Sequence, residues 1–145
     1  FLEGKFEGHG ELVYGDKKRY YKGYWKNQKR NGQGEFKYKN GDVYTGEWLN
    51  DKRHDKGKMT FANGNEYIGN WYKGHMHGEG KFVGRDKVRF YSGGWYAGKM
   101  HGKGTYQFGD HSRYMGNFRS DMKHGKGIYN YPDGRVKRVV YKNDE

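Results

Sequence analysis

The sequence predicts an all-β protein, an extended single-layer antiparallel meander of about 12 short strands. Two observations support this fold class. Twenty-six Gly recur at fixed intervals along the 145 residues, and within each interval aromatic residues recur with a period of two, which is typical of strands. Only 32% of residues are hydrophobic and the net charge is +12, a balance typical of disorder. Disordered chains are poor in aromatics, however, and this chain is 19% aromatic.

The first strand of each repeat carries the pattern Tyr-x-Gly-x-Trp. The pattern recurs every 23 or 24 residues, at 21–25, 44–48, 67–71, 91–95 and, with Phe118 in place of Trp, at 114–118. Residues spaced by two lie on the same face of a strand, so each Tyr, Gly and Trp share a face. The Gly between two rings leaves room for them to lie over the backbone.

The second strand of each repeat carries Gly-x-Gly followed by apolar residues, at 32–36, 55–59, 78–82, 102–106 and 125–129, with Asp55 replacing one Gly. Two turns separate the strands. One follows the Trp position, as at Asn50-Asp51. The other lies between repeats, where Asn40-Gly41, Asn63-Gly64 and Asp133-Gly134 predict tight primed turns with positive φ.

These patterns divide the chain, taken as a single array over 1–145, into five full repeats. Their predicted boundaries are 21–43, 44–66, 67–90, 91–113 and 114–136. Residues 1–20 match the second half of a repeat, which predicts that the chain is cut from a longer array. Residues 137–145 predict a degenerate terminal strand in which Tyr141 alone keeps its aromatic position. Arg85-Asp86-Lys87 replaces the expected Gly turn and predicts an irregular tip.

Tyr-x-Gly-x-Trp followed by His-Gly-x-Gly, as in 67–80 and 91–104, resembles the MORN (membrane occupation and recognition nexus) repeat. The resemblance covers nearly the whole chain. It implies a non-enzymatic scaffold that binds a partner helix or extended peptide, as in cytoskeletal and ciliary assemblies that include radial spoke heads. It also implies two alternatives: an anionic phospholipid or membrane-surface binding module, and the targeting segment of a larger lipid kinase or SET methyltransferase.

The aromatic face is the first candidate binding surface. A single sheet has no second layer to cover this face, and uncovered apolar patches mark interaction sites. The alternative is that most of these rings only pack against one another. The candidate partner-binding residues are Tyr44, Trp48, Tyr67, Trp71, Tyr91 and Trp95, together with Tyr24, Tyr72 and Tyr96, which fall outside the repeated pattern.

A ladder of basic residues between the Trp and the Gly pair is the second candidate surface. Repeats that stack in register would align these residues along one edge, where they would attract an acidic protein or anionic lipid. The alternative is a solvated edge that blocks unwanted strand pairing. The ladder comprises Lys29, Arg30, Lys52, Arg53, His75, His77, Lys99, His101, Lys123 and His124.

Several other functions are disfavoured. Equivalent His residues lie two strands apart, roughly 9.6 Å, which is too far to share a metal ion, so we expect a hydrogen bond within the hairpin instead. No nucleophile elbow, phosphate loop or paired carboxylates are present, so we expect no enzyme activity and no cofactor. Nucleic-acid binding is disfavoured. A second copy of the chain is a further candidate partner. Without a signal peptide or a long apolar stretch, the expected location is the cytoplasm, at the cytoskeleton, cilium or a membrane.

Overall fold

The structure is a computed structural model that describes residues 6–145. These residues form twelve β-strands and no helix, and neighbouring strands are antiparallel, which confirms the all-β meander. None of the described residues therefore belongs to a helix that could cross a membrane. The chain divides into two compact units, the first ending at His75 and the second beginning at Met76.

The first unit is a meander in which each strand pairs with the next one along the chain. Its tyrosines face apolar residues of the neighbouring strands, in the row Tyr21, Phe36, Tyr44, Met59 and Tyr67. The strands are β1 (Gly8–Val13), β2 (Tyr20–Lys26), β3 (Lys29–Lys37), β4 (Val43–Leu49), β5 (Lys52–Thr60) and β6 (Glu66–Tyr72).

The second unit repeats this arrangement. Its equivalent row of paired residues is Phe82, Tyr91, Tyr106, Tyr114 and Tyr129. Its strands are β7 (His75–Val83), which lies in this unit from Met76 onward, β8 (Phe90–Tyr96), β9 (Lys99–Gln107), β10 (Arg113–Arg119), β11 (Met122–Asn130) and β12 (Val136–Tyr141). The predicted terminal strand is thus present as β12, where Tyr141 meets the Tyr114 ring edge-on at 5.7 Å.

The core consists of rings that lie on one face of the strands, here called the ring face. It is formed by the Tyr and Trp residues of the repeated pattern, such as Tyr44 and Trp48, which alternate with exposed residues along each strand. Tyr44 donates its hydroxyl hydrogen to the Glu47 carbonyl at 2.7 Å, and Trp48 donates its indole N–H to the Gly34 carbonyl at 3.1 Å. Each buried polar group of these two rings is therefore satisfied.

The two glycines of Gly-x-Gly have different structural roles. The second, for example Gly57, lies directly beneath the Tyr44 ring, where a Cβ atom would overlap the ring. This confirms that the missing side chain makes room for a ring. The first, for example Gly32, adopts a left-handed φ of 86° in a β-bulge opposite Tyr24. Asp55 occupies the equivalent bulge position with a φ of 54°, a conformation that Asp tolerates better than most residues.

The turns after the Trp position have two consecutive residues with positive φ, as at Asn50 (47°) and Asp51 (68°), which is typical of primed turns. The turns between repeats differ from the prediction. At Asn40-Gly41 only Gly41 has a positive φ, and Gly41 N–H donates to the Tyr38 carbonyl, so a primed turn was the wrong interpretation. At the irregular tip, Lys87 has a φ of 62°, in the left-handed region.

Successive hairpins are joined by a recurring backbone hydrogen bond. In the first unit the tip residues Asp51 and Gly74 donate their N–H groups to the carbonyls of Arg30 and Arg53 at 3.1 and 3.0 Å. In the second unit Gly98, Asp121 and Asp144 donate to Met76, Met100 and Lys123. Each tip is thereby held on the preceding hairpin.

Residues 6–20 of the predicted half repeat contain β1, and residues 1–5 lie outside the described residues.

Candidate partner-binding surface

The six candidate rings of the repeated pattern are buried, so the expectation that they are uncovered is wrong. None exposes more than 7% of its surface. The Tyr ring lies over the glycines, and the Trp ring of the next hairpin meets it edge-on, as Trp71 meets Tyr44 at 5.4 Å. The six buried rings are Tyr44, Trp48, Tyr67, Trp71, Tyr91 and Trp95.

The other three candidate rings lie on the opposite face, here called the outer face, together with Lys22 and Ile68. Tyr24, Tyr72 and Tyr96 stand an odd number of residues from the patterned Tyr, and strand side chains alternate between faces. Their assignment to the aromatic face was therefore wrong. All three are exposed, at 51%, 47% and 62%. Their contact with a partner stays a prediction.

The accessible part of the ring face lies elsewhere, on half-buried rings near the end of each second strand. In the first unit these include Tyr38 and Phe61. In the second unit Phe108 stacks on Tyr129 with centroids 5.6 Å apart, and Tyr106 lies 4.8 Å from Phe108. These rings are not among the site residues predicted from the sequence. The sequence offers one signal for them: they lie beside a turn, where a strand has fewer neighbouring residues to bury a ring.

The basic ladder separates into two groups. Lys29, Lys52, His75, Lys99 and His101 are exposed, as expected of a charged edge. The partly buried members of the ladder are Arg30, Arg53, His77, Lys123 and His124.

Three of the partly buried residues turn onto the ring face. The Arg30 guanidinium lies 4.6 Å from the Trp48 ring centroid, and Arg53 lies 4.7 Å from that of Trp71. The Lys123 amine lies 4.6 Å from the Tyr141 ring centroid. These three cations cover core rings and do not belong to a solvated edge.

Two histidines of the ladder, His77 and His101, lie beside the outer-face ring of Tyr96, with ring centroids 5.3 and 5.7 Å away. The expected hydrogen bond is absent at Nδ1 of His124, which is buried without a hydrogen-bond partner among the described residues. Within residues 6–145, no three His, Asp or Glu side chains are grouped closely enough to hold a metal ion.

A pocket of about 200 Å³ opens on the ring face of the second unit. Phe118 stands at its base in the position that other repeats give to Trp, and Met100 stands where Arg30 and Arg53 cover a Trp in the first unit. Both replacements leave space that a Trp and an Arg fill elsewhere. The remaining lining residues are Tyr106, Phe108, Lys123, Asp121 and Asp144.

Replacing Phe118 with Trp should stabilise the protein by about 1 kcal/mol, because the indole N–H would regain a carbonyl acceptor. The acceptor would be the Gly104 carbonyl, which corresponds to the Gly34 carbonyl that accepts from Trp48. Urea unfolding followed by circular dichroism would measure this change. A loss of stability would show that Trp does not fit this repeat.

Burial raises the pKa of the Tyr21 hydroxyl to about 12 and also raises the pKa values of Tyr44, Tyr91 and Tyr114. In the unfolded chain a Tyr hydroxyl has a pKa of about 10. The stability that the neutral Tyr21 hydroxyl contributes is therefore fully present below about pH 10 and lost as the pH rises through about 12.

We accordingly expect the urea midpoint to fall steeply from about pH 10 to about pH 12. Tyr21→Phe should show a shallower fall, because its ring has no hydroxyl to ionise. Tyr24→Phe is the matched control, since the Tyr24 ring is exposed. Equal slopes for both variants would contradict a role for the buried hydroxyls.

Residues 1–19, 21–43, 44–66, 67–89, 91–113 and 114–134 match the MORN repeat family. None of the curated proteins matches the chain. Similar solved structures include the SAS-4 (dCPAP) TCP domain in complex with a proline-rich motif of Ana2 (dSTIL) of Drosophila melanogaster. The identity is 14%, the alignment covers 92% of this chain and 90% of that chain, and the TM-score is 0.32. Because the family matches cover most of its length, this chain belongs to the MORN-repeat family, whose repeat is a non-catalytic module for interactions with proteins or membranes.

Proposed function

We propose that this chain is a non-enzymatic scaffold that binds a helix or extended peptide of a protein partner along its ring face. The pocket at Phe118 carries the proposal, because its volume of about 200 Å³ suits one large apolar side chain. Half-buried rings beside it, such as Tyr106 and Phe108, offer flat apolar surface for the rest of the segment. Following the family resemblance, we place this scaffold in the cytoplasm, within a cytoskeletal or ciliary assembly.

The polar lining of the pocket also suits a peptide. Lys123 contributes an ammonium group and Asp121 a carboxylate to the lining of the pocket. A peptide presents both N–H donors and carbonyl acceptors beside its side chains, so it can pair with both. A peptide residue therefore matches the pocket if its apolar side chain enters the pocket and its backbone lies at the rim.

Phe118→Trp tests this proposal without removing any core ring. A display library of random peptides of about 12 residues would be selected on the natural protein and the selected peptides measured on variants. Phe118→Trp should weaken peptides that use the pocket by about tenfold or more, because the larger ring occupies the anchor site. Leu49→Trp, at an exposed position in the first unit, is the control and should leave affinity unchanged. Selected peptides that bind all three proteins equally would refute the ring-face site.

A membrane-surface role is the second candidate, and one observation favours it. Leu49 and Tyr72 are exposed at hairpin ends of the first unit, where Lys26, Lys52 and Lys73 are also exposed. Apolar side chains among lysines suit an anionic lipid surface. Vesicles containing phosphatidylserine should then retain the protein at about 0.15 M salt and release Leu49→Glu. Retention only at low salt would indicate general charge attraction instead.

A further inference from the structure

A larger hollow, of about 930 Å³, lies on the outer face of the second unit. It spans strands β9 to β12. Its floor is backbone, because the glycines Gly104, Gly116 and Gly127 follow one another across three strands. On the ring face these same positions are covered by tyrosine rings, for example Gly127 by Tyr114, so the hollow and the ring-face pocket are separate surfaces.

Apolar side chains stand on both sides of this floor. Met115 and Ile128 face each other on β10 and β11, and Val140 stands across the floor on β12. They expose 47%, 40% and 72% of their surfaces. Exposure of apolar side chains to water is unfavourable, and this chain has few aliphatic residues. Exposed apolar patches of this kind on soluble proteins mark interaction sites.

The charged groups around the hollow all have the same sign. Lys103, Lys126 and Arg138 line it, and no Asp or Glu does. None of these three cations forms an ion pair within residues 6–145. Unpaired cations beside an apolar strip attract carboxylates, and pairing them on binding would add selectivity for an acidic ligand.

The corresponding positions on β3 and β4 of the first unit carry acidic side chains. Glu35 stands where the second unit has Thr105, and Glu47 stands where it has Asn117. Glu35 accepts a hydrogen bond from Tyr20, and Glu47 accepts one from Gln33. The acidic side chains on β3 and β4 therefore give that part of the first unit a mixed charge, whereas the charged groups that line the hollow are all cationic.

We propose that the outer-face hollow binds an acidic amphipathic segment of another protein. Its apolar side chains would contact Met115, Ile128 and Val140, and its carboxylates would pair with Lys126 and Arg138. Four strands at roughly 4.8 Å spacing give a length of about 15 Å, enough for about ten helical residues. A flat bilayer would not reach the glycine floor, and a nucleic-acid backbone would leave the apolar strip unmatched. Charge complementarity and shape thus favour a protein segment.

The test uses the complete chain carrying Phe118→Trp, so that the ring-face pocket is occupied. A display library of random peptides of about 12 residues would be selected on this protein. We expect enriched peptides with Asp or Glu beside large apolar residues, and saturable binding in fluorescence anisotropy at about 0.15 M salt. Selection of neutral or basic sequences would overturn the proposal.

Variants of the hollow then locate the site. Met115→Glu combined with Ile128→Glu, and separately Lys126→Glu combined with Arg138→Glu, should each weaken the selected peptides by about tenfold or more. Ile68→Glu is the matched control, since Ile68 has the same repeat position as Met115 in the first unit and is 55% exposed. An equal loss with Ile68→Glu, or no loss with either pair, would overturn the proposal, as would vesicles of phosphatidylserine that displace the peptides.

These outcomes are distinguishable from failure of the ring-face site. Peptides selected on the natural protein that lose affinity with Phe118→Trp report the ring face, and peptides selected on the Phe118→Trp protein that lose affinity with the hollow variants report the hollow. Near-ultraviolet circular dichroism of the core rings would confirm that each variant is folded. The changed outer-face side chains lie opposite the core rings, so we expect those spectra to match the natural protein.

Discussion

Gly57→Ala should destabilise the protein by about 3 kcal/mol, a large fraction of the stability of a small domain. An added Cβ would lie well within van der Waals distance of the Cζ and Oη atoms of Tyr44. The Tyr44 ring is fully buried and its hydroxyl is held by the Glu47 carbonyl, so the ring has no free space to move into. Urea unfolding followed by tryptophan fluorescence would measure the loss.

Gly15→Ala is the matched control for this experiment. No atom lies within 4 Å of the Cβ that this substitution would add, and Gly15 does not have a positive φ. We expect a change of less than about 0.5 kcal/mol. If Gly57→Ala were as stable as Gly15→Ala, the close packing of ring on glycine could not be the reason for this Gly.

Trp48→Ala should cost about 3–5 kcal/mol, the usual range for a buried aromatic ring. The Trp48 ring meets Tyr44 of its own strand at 5.0 Å and Tyr21 of the preceding hairpin at 5.7 Å. Its loss would therefore remove a packing contact between two hairpins as well as a hydrogen bond to Gly34. We expect a lower urea midpoint.

Leu49→Ala provides the comparison for Trp48→Ala, because Leu49 is the next residue of β4 and is 46% exposed. It should change stability by less than about 0.5 kcal/mol. A small effect of both substitutions would mean that adjacent hairpins are stable without their shared rings.

The fold could be predicted because its two signals are local and repeated. A period of two identifies a strand, and recurrence every 23 or 24 residues identifies the hairpin. The turn at Asn40-Gly41 was misassigned because Asn-Gly suits both a primed turn and a type I turn followed by a left-handed Gly. The hydrogen bond from Tyr38 N–H to the Asp42 carbonyl, which fixes the longer loop, is visible only in three dimensions.

The site was harder to predict because burial depends on contacts between hairpins. Tyr44 was expected to be uncovered, but Trp71 of the next hairpin lies against it. Tyr72 was assigned to the wrong face because its aromatic character received more weight than its odd spacing from Tyr67. The ring-face pocket arises from Phe118 and Met100 together, and neither substitution alone distinguishes it in the sequence.

The hydrogen bond that holds each hairpin tip on the preceding hairpin uses only backbone atoms, as between Asp51 N–H and the Arg30 carbonyl. Tips as different as Ser120-Asp121 and Ala97-Gly98 make the same connection. Duplication or deletion of a whole hairpin would therefore preserve this backbone connection whatever residues form the tip. The number of repeats can change during evolution while the binding residues on each face diverge independently.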